Sequence, residues 1–398
     1  MFRCSSCGKT EDERSLLWRC SCGGYFDLEP GERAPLTRRA ILPGEPGMWR
    51  YAPSLPPVPS GKRVTLGEGW TPLSAEPGSF PELYFKVDYA MPTGSYKDRG
   101  MACLVSRLLS LGVKEVIEDS SGNAGASMAA YCARAGIRCR VFVPDYTSEG
   151  TCLQILASGA VLERISGTRE DTARAAEAAG EGGFYASHNW SPWFAHGVKT
   201  FAFEIWEQLG FRAPGAVLLP AGQGSLVLGC ALAFDELLAS GEISSLPRIY
   251  ALQPERCDPL ARAFRQGVPL PVPVEKGETA AEGISAAYPV RGKAVLAAVR
   301  KSGGEILSFS EAEIWKGFLS LARRGYYVEP TSAIVAAGME RLCARGAFSS
   351  GEAVVGLLSG SGLKAGDKIL SHFSGSSFTP EEELSPFMGE PGSPPWEG

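Results

Sequence analysis

No stretch of this 398-residue chain approaches the roughly 20 consecutive apolar residues that a membrane-spanning helix needs. Its N-terminal residues, MFRCSSCGK, lack the apolar segment that heads an exported protein. Positive charge is not in excess. Lys and Arg number 39 against 44 Asp and Glu, and the net charge of −5 provides no basic field to attract nucleic acid or an anionic membrane. No internal repeat is present. The 11 cysteines are spread too thinly over this length to suggest a disulfide framework. Cys103, Cys132, Cys139, Cys152, Cys230 and Cys343 lie in apolar or helix-like contexts and read as small buried residues. Together these absences predict a cytoplasmic protein.

What is present is an ordinary globular composition, 44% hydrophobic and 21% charged, with length for two domains and an appendage. Residues 1–30 hold a compact cysteine cluster. Residues 31–65, with Pro43, Pro46, Pro53, Pro56, Pro57 and Pro59, read as an extended connector. From 66 to 365, β-rich runs alternate with amphipathic helical runs, as in Val113–Ile117 before Ala124–Ala135, and Ala216–Leu219 before Leu226–Leu238. Such alternation predicts right-handed crossovers and an α/β fold with a mostly parallel sheet covered on both faces. Ligands of such sheets bind beyond the strand C-termini. Residues 375–398 are polar, acidic and proline-rich, and read as a loose tail.

The candidate chemistry sits at four loops. In Thr93-Gly94-Ser95-Tyr96-Lys97-Asp98-Arg99-Gly100, Lys97 falls at the start of an apolar helix pattern. A helix N-terminus disfavours positive charge, and a lysine held partly neutral can form a Schiff base with a carbonyl cofactor and act as a base. A solvated lysine at a capped helix is the plain alternative. Ser120-Ser121-Gly122-Asn123-Ala124-Gly125 follows a strand and opens a helix; its small residues and free N–H groups suit a carboxylate, or form a simple N-cap turn. Gly222-Gln223-Gly224-Ser225 follows the next such strand and can cradle phosphate with backbone N–H groups, although many β-to-α turns need glycine only for packing. Ser359-Gly360-Ser361-Gly362 follows the last strand and presents a hydroxyl, or a plain glycine turn. A fifth feature, Cys4-x2-Cys7 with Cys20-x-Cys22-Gly23, suggests a tetrathiolate zinc ribbon whose second pair is one residue short of the usual knuckle, or four free thiols on a small cap. Glu11, Asp12 and Glu13 beside Arg14 and Arg19 argue against a nucleic-acid role for this cap.

The four loops in this order resemble the fold type II, tryptophan-synthase-β-like pyridoxal-phosphate enzymes, and within them the threonine synthase family. The resemblance runs from Glu68-Gly69-Trp70-Thr71-Pro72-Leu73 to Lys364 and includes Glu329-Pro330-Thr331-Ser332-Ala333. It implies two doubly wound, mostly parallel-sheet domains with a small N-terminal zinc-ribbon-like cap. We expect the large cofactor-binding domain at 66–110 plus 195–368 and the small one at 111–194. By resemblance, Lys97 is the Schiff-base lysine and Asn123 binds the cofactor's 3′ oxygen. Gly222, Gln223, Gly224 and Ser225 hold its phosphate, and Ser359 faces the pyridine nitrogen. Ser120, Ser121, Gly122 and Ala124 surround the substrate carboxylate. The implied activity converts O-phospho-L-homoserine to L-threonine and phosphate, in a homodimer.

Two departures from the family pattern stand out. Ser191-Pro192-Trp193-Phe194-Ala195-His196-Gly197 has Phe194 and His196 where threonine synthases typically carry arginine and glutamate. Ser361 stands where histidine is common. The arginine would pair with a phosphorylated substrate, so a related β-eliminating or β-replacing enzyme, dehydratase-like or cysteate-synthase-like, is the alternative. A non-catalytic cofactor-binding regulatory protein is a third reading. His196 is a candidate acid or base, or an uninvolved helix-start histidine. Lys86 is a candidate for a substrate anion, or a solvated strand lysine.

Overall fold

The computed structural model describes residues 1–29, 34–79, 81–147, 149–180 and 184–374; the acidic tail expected at 375–398 lies outside the described residues. The chain forms two compact units, one of Met1–Trp70, Met91–Phe203 and Leu228–Glu242, the other of Thr71–Ala90, Glu204–Val227 and the residues from Ile243 onward.

The first unit opens with a small antiparallel sheet of β1 (Phe2–Cys4), β2 (Thr10–Glu11) and β3 (Phe26–Leu28), ordered β2-β1-β3. The connector that follows packs rather than dangles: Met48, Trp49, Tyr51, Leu55 and Val64 are all buried. It is tied down by Glu68, a buried carboxylate that accepts from Trp49 Nε1 at 3.1 Å, Leu66 N at 2.9 Å and the Tyr131 hydroxyl at 2.7 Å. The main sheet of this unit is wholly parallel, β8-β7-β6-β9, from β6 (Glu115–Glu118), β7 (Arg138–Pro144), β8 (Val161–Ile165) and β9 (Phe184–Tyr185). All four strands lie within 111–194. The helices here are α1 (Lys97–Ser110), α2 (Asn123–Ala135), α3 (Glu149–Ala157), α4 (Arg169–Ala179) and α5 (Pro192–Val198). Helix α2 stops at Gly136, whose φ of 66° is left-handed and suits glycine. Helix α4 starts on a capping box between Thr168 and Asp171.

The boundary between the units falls within α6 (Thr200–Gln208) and α7 (Ser225–Ala239). The second unit holds a six-stranded sheet, β12-β11-β10-β13-β5-β4, built from β4 (Leu73–Ala75), β5 (Glu82–Lys86), β10 (Ala216–Pro220), β11 (Arg248–Pro254), β12 (Ile306–Phe309) and β13 (Ala353–Leu357). Only β4 runs antiparallel, as the edge strand. Every residue of β10 is buried, as a central parallel strand covered on both faces requires. Helices α8 (Pro259–Arg265), α9 (Gly292–Lys301), α10 (Glu311–Arg323), α11 (Pro330–Ala344) and α12 (Gly366–Ser374) complete it. Helix α11 is buried along nearly its whole length, and Gly338 and Gly356 let it lie close on the sheet, where a Cβ would meet Leu252 at 2.7 Å and Val335 at 2.4 Å. The doubly wound, mostly parallel architecture expected from the alternation is therefore what the chain adopts.

Candidate active site

In the first unit, the turn before α1 is built around Asp98. This buried carboxylate accepts from Thr93 N at 2.8 Å, Thr93 Oγ1 at 2.5 Å and Ser127 Oγ of α2 at 2.5 Å. Gly94 supplies the positive φ of the turn, 82°. These bonds fix the backbone from which Lys97 projects as the first residue of α1. Its side chain is half-buried, and Nζ lies 4.9 Å from the Tyr96 ring centroid and 5.5 Å from that of Phe194. Among the described residues Lys97 has no hydrogen-bonding or ion-pairing partner. Ring faces attract a cation without consuming a nitrogen lone pair.

The Ser120–Asn123 loop joins β6 to α2. Gly125 makes it possible: a Cβ there would sit 1.8 Å from Ser120 O, so the loop closes tightly over the helix start. Ser120, Ser121 and Asn123 are half-buried, Gly122 is exposed and Ala124 is buried. The N–H groups of α2's first turn face this loop, an arrangement suited to a carboxylate. Phe194 and His196 lie on α5, which packs closely on α1. Gly197 leaves no room for a Cβ over Arg99 O, at 2.2 Å, and Gly100 leaves none under the Phe194 ring, at 2.3 Å. Phe194 is fully buried and His196 half-buried.

In the second unit, β10 ends at Pro220 and leads through Ala221-Gly222-Gln223-Gly224 to α7. Both glycines are needed. A Cβ on Gly222 would lie 2.8 Å from Ile284 Cα, and Gly224, at φ 87°, would press Val295 at 2.2 Å. The Gln223 side chain is committed within the protein, accepting from Val290 N at 2.9 Å, so what this loop offers a ligand is backbone N–H groups. Helix α7 begins at Ser225 and adds its N-terminus. At the end of β13, Ser359 is buried, and Ser332 organises its loop. Ser332 Oγ accepts from Ser359 N at 2.8 Å and Gly360 N at 2.9 Å and lies 2.9 Å from Ser359 Oγ. Glu329 closes the same loop, donating its N–H to Gly360 O at 3.0 Å. The Glu329–Ala333 segment and the Ser359 turn are thus one construction.

Lys86 is engaged elsewhere. It is fully buried, donates to Thr71 O and Gln208 Oε1 at 2.8 Å each, and pairs with Glu204 Oε2 at 2.7 Å. An ammonium so satisfied is a structural tie, and the expectation that it meets a substrate anion is set aside. Four residues that the sequence did not single out gather in the first unit. Glu118 accepts from or donates to His188 Nδ1 at 3.1 Å, and Arg169 donates to Asp119 at 2.8 Å. Two adjacent carboxylates at the end of a buried strand, directly before the Ser120–Asn123 loop, were the available signal.

The residues present fit the expected groups. The Gly222–Gly224 loop leaves backbone N–H groups at the start of α7 for a phosphate, and the Lys97 amine suits a carbonyl. At the N-terminus, Cys4 and Cys22 Sγ lie 3.4 Å apart and Cys7 and Cys20 Sγ 3.7 Å, with all four within 4.8 Å of one another. Tetrahedral zinc with 2.3 Å bonds to sulfur separates its ligands by about 3.8 Å. Each pair turns on a left-handed glycine, Gly8 at φ 74° and Gly23 at φ 86°. The second turn closes one residue sooner, from Gly23 N to Cys20 O rather than Gly8 N to Cys4 O, which accommodates the shorter Cys20-x-Cys22 spacing.

Comparison with known proteins places these features. A family model described as pyridoxal-phosphate dependent enzyme matches residues 64–360. Threonine synthase of Methanocaldococcus jannaschii is 35% identical over 381 residues, spanning 92% of this chain and 94% of that protein. Threonine synthase of Methanosarcina acetivorans is 34% identical over 373 residues, 91% and 92% of the two chains. Among solved structures, maize serine racemase superposes with a TM-score of 0.63 at 21% identity over 77% of this chain and 92% of that one, a likeness of fold. A T.th. threonine deaminase gives 0.61 at 26% identity over 73% and 92%.

Proposed function

Because the chain belongs to the threonine synthase family of pyridoxal-phosphate-dependent enzymes, we propose that it converts O-phospho-L-homoserine and water to L-threonine and phosphate. The observation that best supports the reading is Lys97: a helix-start amine with no hydrogen-bonding or ion-pairing partner among the described residues, seated on two rings. Pyridoxal phosphate, when bound, supplies an electron sink for the pair left as the α-C–H bond breaks. Lys97 carries the cofactor and then moves the α-proton. Gly222, Gln223, Gly224 and Ser225 hold the phosphate through backbone N–H groups, and Asn123 binds the 3′ oxygen. Ser359 offers the pyridine nitrogen a neutral hydroxyl, which favours elimination and replacement over transamination. Ser120, Ser121, Gly122 and Ala124 receive the substrate carboxylate, and His196 is the nearby acid or base. We also assign zinc to Cys4, Cys7, Cys20 and Cys22, a homodimeric state and a cytoplasmic location.

One observation favours a second reading. Phe194 occupies the family's arginine position and is sealed against Gly100, so it offers a phosphorylated side chain no charge. A β-eliminating or β-replacing enzyme acting on serine, threonine or O-phosphoserine suits that better. Steady-state assays separate the two: phosphate and threonine released from O-phospho-L-homoserine support the first. Ketoacid, or a sulfite-dependent product, from serine-type substrates without phosphate release from O-phospho-L-homoserine sinks it.

A further inference from the structure

Strands β6 and β9 pair in parallel through Val116↔Phe184 and Ile117↔Tyr185, and Ala186 N donates to Ile117 O at 2.8 Å. One residue further along β6, a side-chain bond takes over from the backbone ladder: Glu118 Oε1 and His188 Nδ1, 3.1 Å apart. Both residues are buried. Glu118 belongs to the strand that delivers the Ser120–Asn123 loop. His188 belongs to the turn closed by Trp190 N and Ser191 N on Ser187 O, which leads into α5. The His188 ring meets Phe194 edge-on, with centroids 5.3 Å apart, and Phe194 lies 5.5 Å from Lys97 Nζ. Glu118, His188, Phe194 and Lys97 therefore form one contiguous line.

The electrostatics of the line are specific. Glu118 Oε2 has no hydrogen-bond partner among the described residues, and the interior strongly disfavours an ionised carboxylate left so. Burial, then Asp119, pushes the Glu118 pKa well up, against Arg169 of α4 and Lys97 of α1; Cys139 of β7 adds to the rise. Burial, then Lys97 and Arg169, pushes His188 well down. Tyr185 of β9 and Cys132 of α2, each with its own pKa raised by burial, also face the cluster. Burial thus favours the neutral form of each group, and in that form the bond runs from the Glu118 carboxyl to Nδ1, with the imidazole proton on Nε2.

We propose that Glu118 and His188 are positioning residues for Lys97, the acid fixing the imidazole, the imidazole bracing Phe194, and Phe194 seating the amine. The proposal rests on the reading of Lys97 as the cofactor lysine. Its test uses the holoenzyme and two readouts: the pH midpoint of the cofactor's visible band, and kcat and KM for the amino acid that turns over. Glu118→Ala and His188→Ala shift the midpoint by about half a pH unit or more. They lower kcat roughly tenfold or more while KM stays within about threefold. Glu118→Gln, which keeps a neutral donor to Nδ1, restores the midpoint and most of kcat and shows that the loss is not misfolding. Alanine variants with an unmoved midpoint and kcat overturn the proposal, as does a glutamine variant no better than alanine. If Lys97→Ala still retains the cofactor in a borohydride-reducible linkage, the reading of Lys97 itself fails, whatever the Glu118 variants do.

Discussion

Replacing Glu204 by alanine tests the assignment of Lys86 as a structural tie. Lys86 is fully buried, and its Nζ lies against Thr71 O, Gln208 Oε1 and Glu204 Oε2. Only the last carries charge, and it also accepts from Thr71 N at 3.3 Å. Without it, a buried ammonium loses this charged partner, and breaking a buried pair in this way costs about 3–5 kcal/mol. Spread over the unfolding entropy of a 398-residue chain, that lowers Tm by about 4–6 °C. Calorimetry measures the shift, and urea unfolding checks it. Replacing both partners, Lys86→Met with Glu204→Leu, removes the uncompensated charge and recovers stability to within about 1–2 kcal/mol of the parent. A Glu204→Ala loss below about 1 kcal/mol refutes the reasoning. So does a Lys86→Met protein that keeps its Tm but loses affinity for O-phospho-L-homoserine, since that returns Lys86 to the substrate.

Further outcomes follow from other parts of the chain. Cys7→Ser removes one of the four proposed zinc ligands, and metal analysis after mild chelation should find zinc retained by the parent and lost from the variant. Ser310 caps α10 and accepts from Glu313 N in a capping box, so Ser310→Ala should cost about 1 kcal/mol in urea titrations. His188 titrates with a definite sign. Its folded pKa lies well below the ordinary value of 6.5 because burial, then Lys97 and Arg169, disfavour its charge. The unfolded chain therefore takes up a proton that folded His188 does not, so the contribution of His188 to stability falls as pH drops below about 6.5, while the raised pKa of Glu118 contributes with the opposite sign. His188→Gln removes that contribution and should tilt a urea-midpoint profile between pH 7 and 5 toward greater relative stability at the acid end; an unchanged slope would place the titration elsewhere.

Much of the fold was legible because its signals are local. Glycine-led loops after apolar strands placed the starts of α1, α2 and α7 within two residues of where they lie. The departures have physical reasons. Pro192, which suits a helix's first turn, starts α5 ahead of α6, which begins at Thr200. Helices α8 and α9 were not anticipated, although Pro259 at a helix start and the Val295, Leu296 and Val299 spacing offered a signal. Lys86 read as available because its place in the alternation along β5 is ordinary; its partners come from Thr71 and from α6, more than 100 residues on.

The amino-acid sequence by itself determined which loops carry glycine, which strands are apolar throughout and which residue types stand at each helix start, since steric allowance and hydrophobic period act over a few residues. Tertiary structure alone decided which side chains meet. The order β12-β11-β10-β13-β5-β4 brings the chain's last strand between two early ones and its middle, so no local pattern encodes it. Glu118 and His188 stand 70 residues apart and touch only because β6 and β9 pair in register. That contact changed the reading of the Lys97 neighbourhood from a lysine beside an unexpected phenylalanine to a lysine with a buried, hydrogen-bonded support behind that phenylalanine.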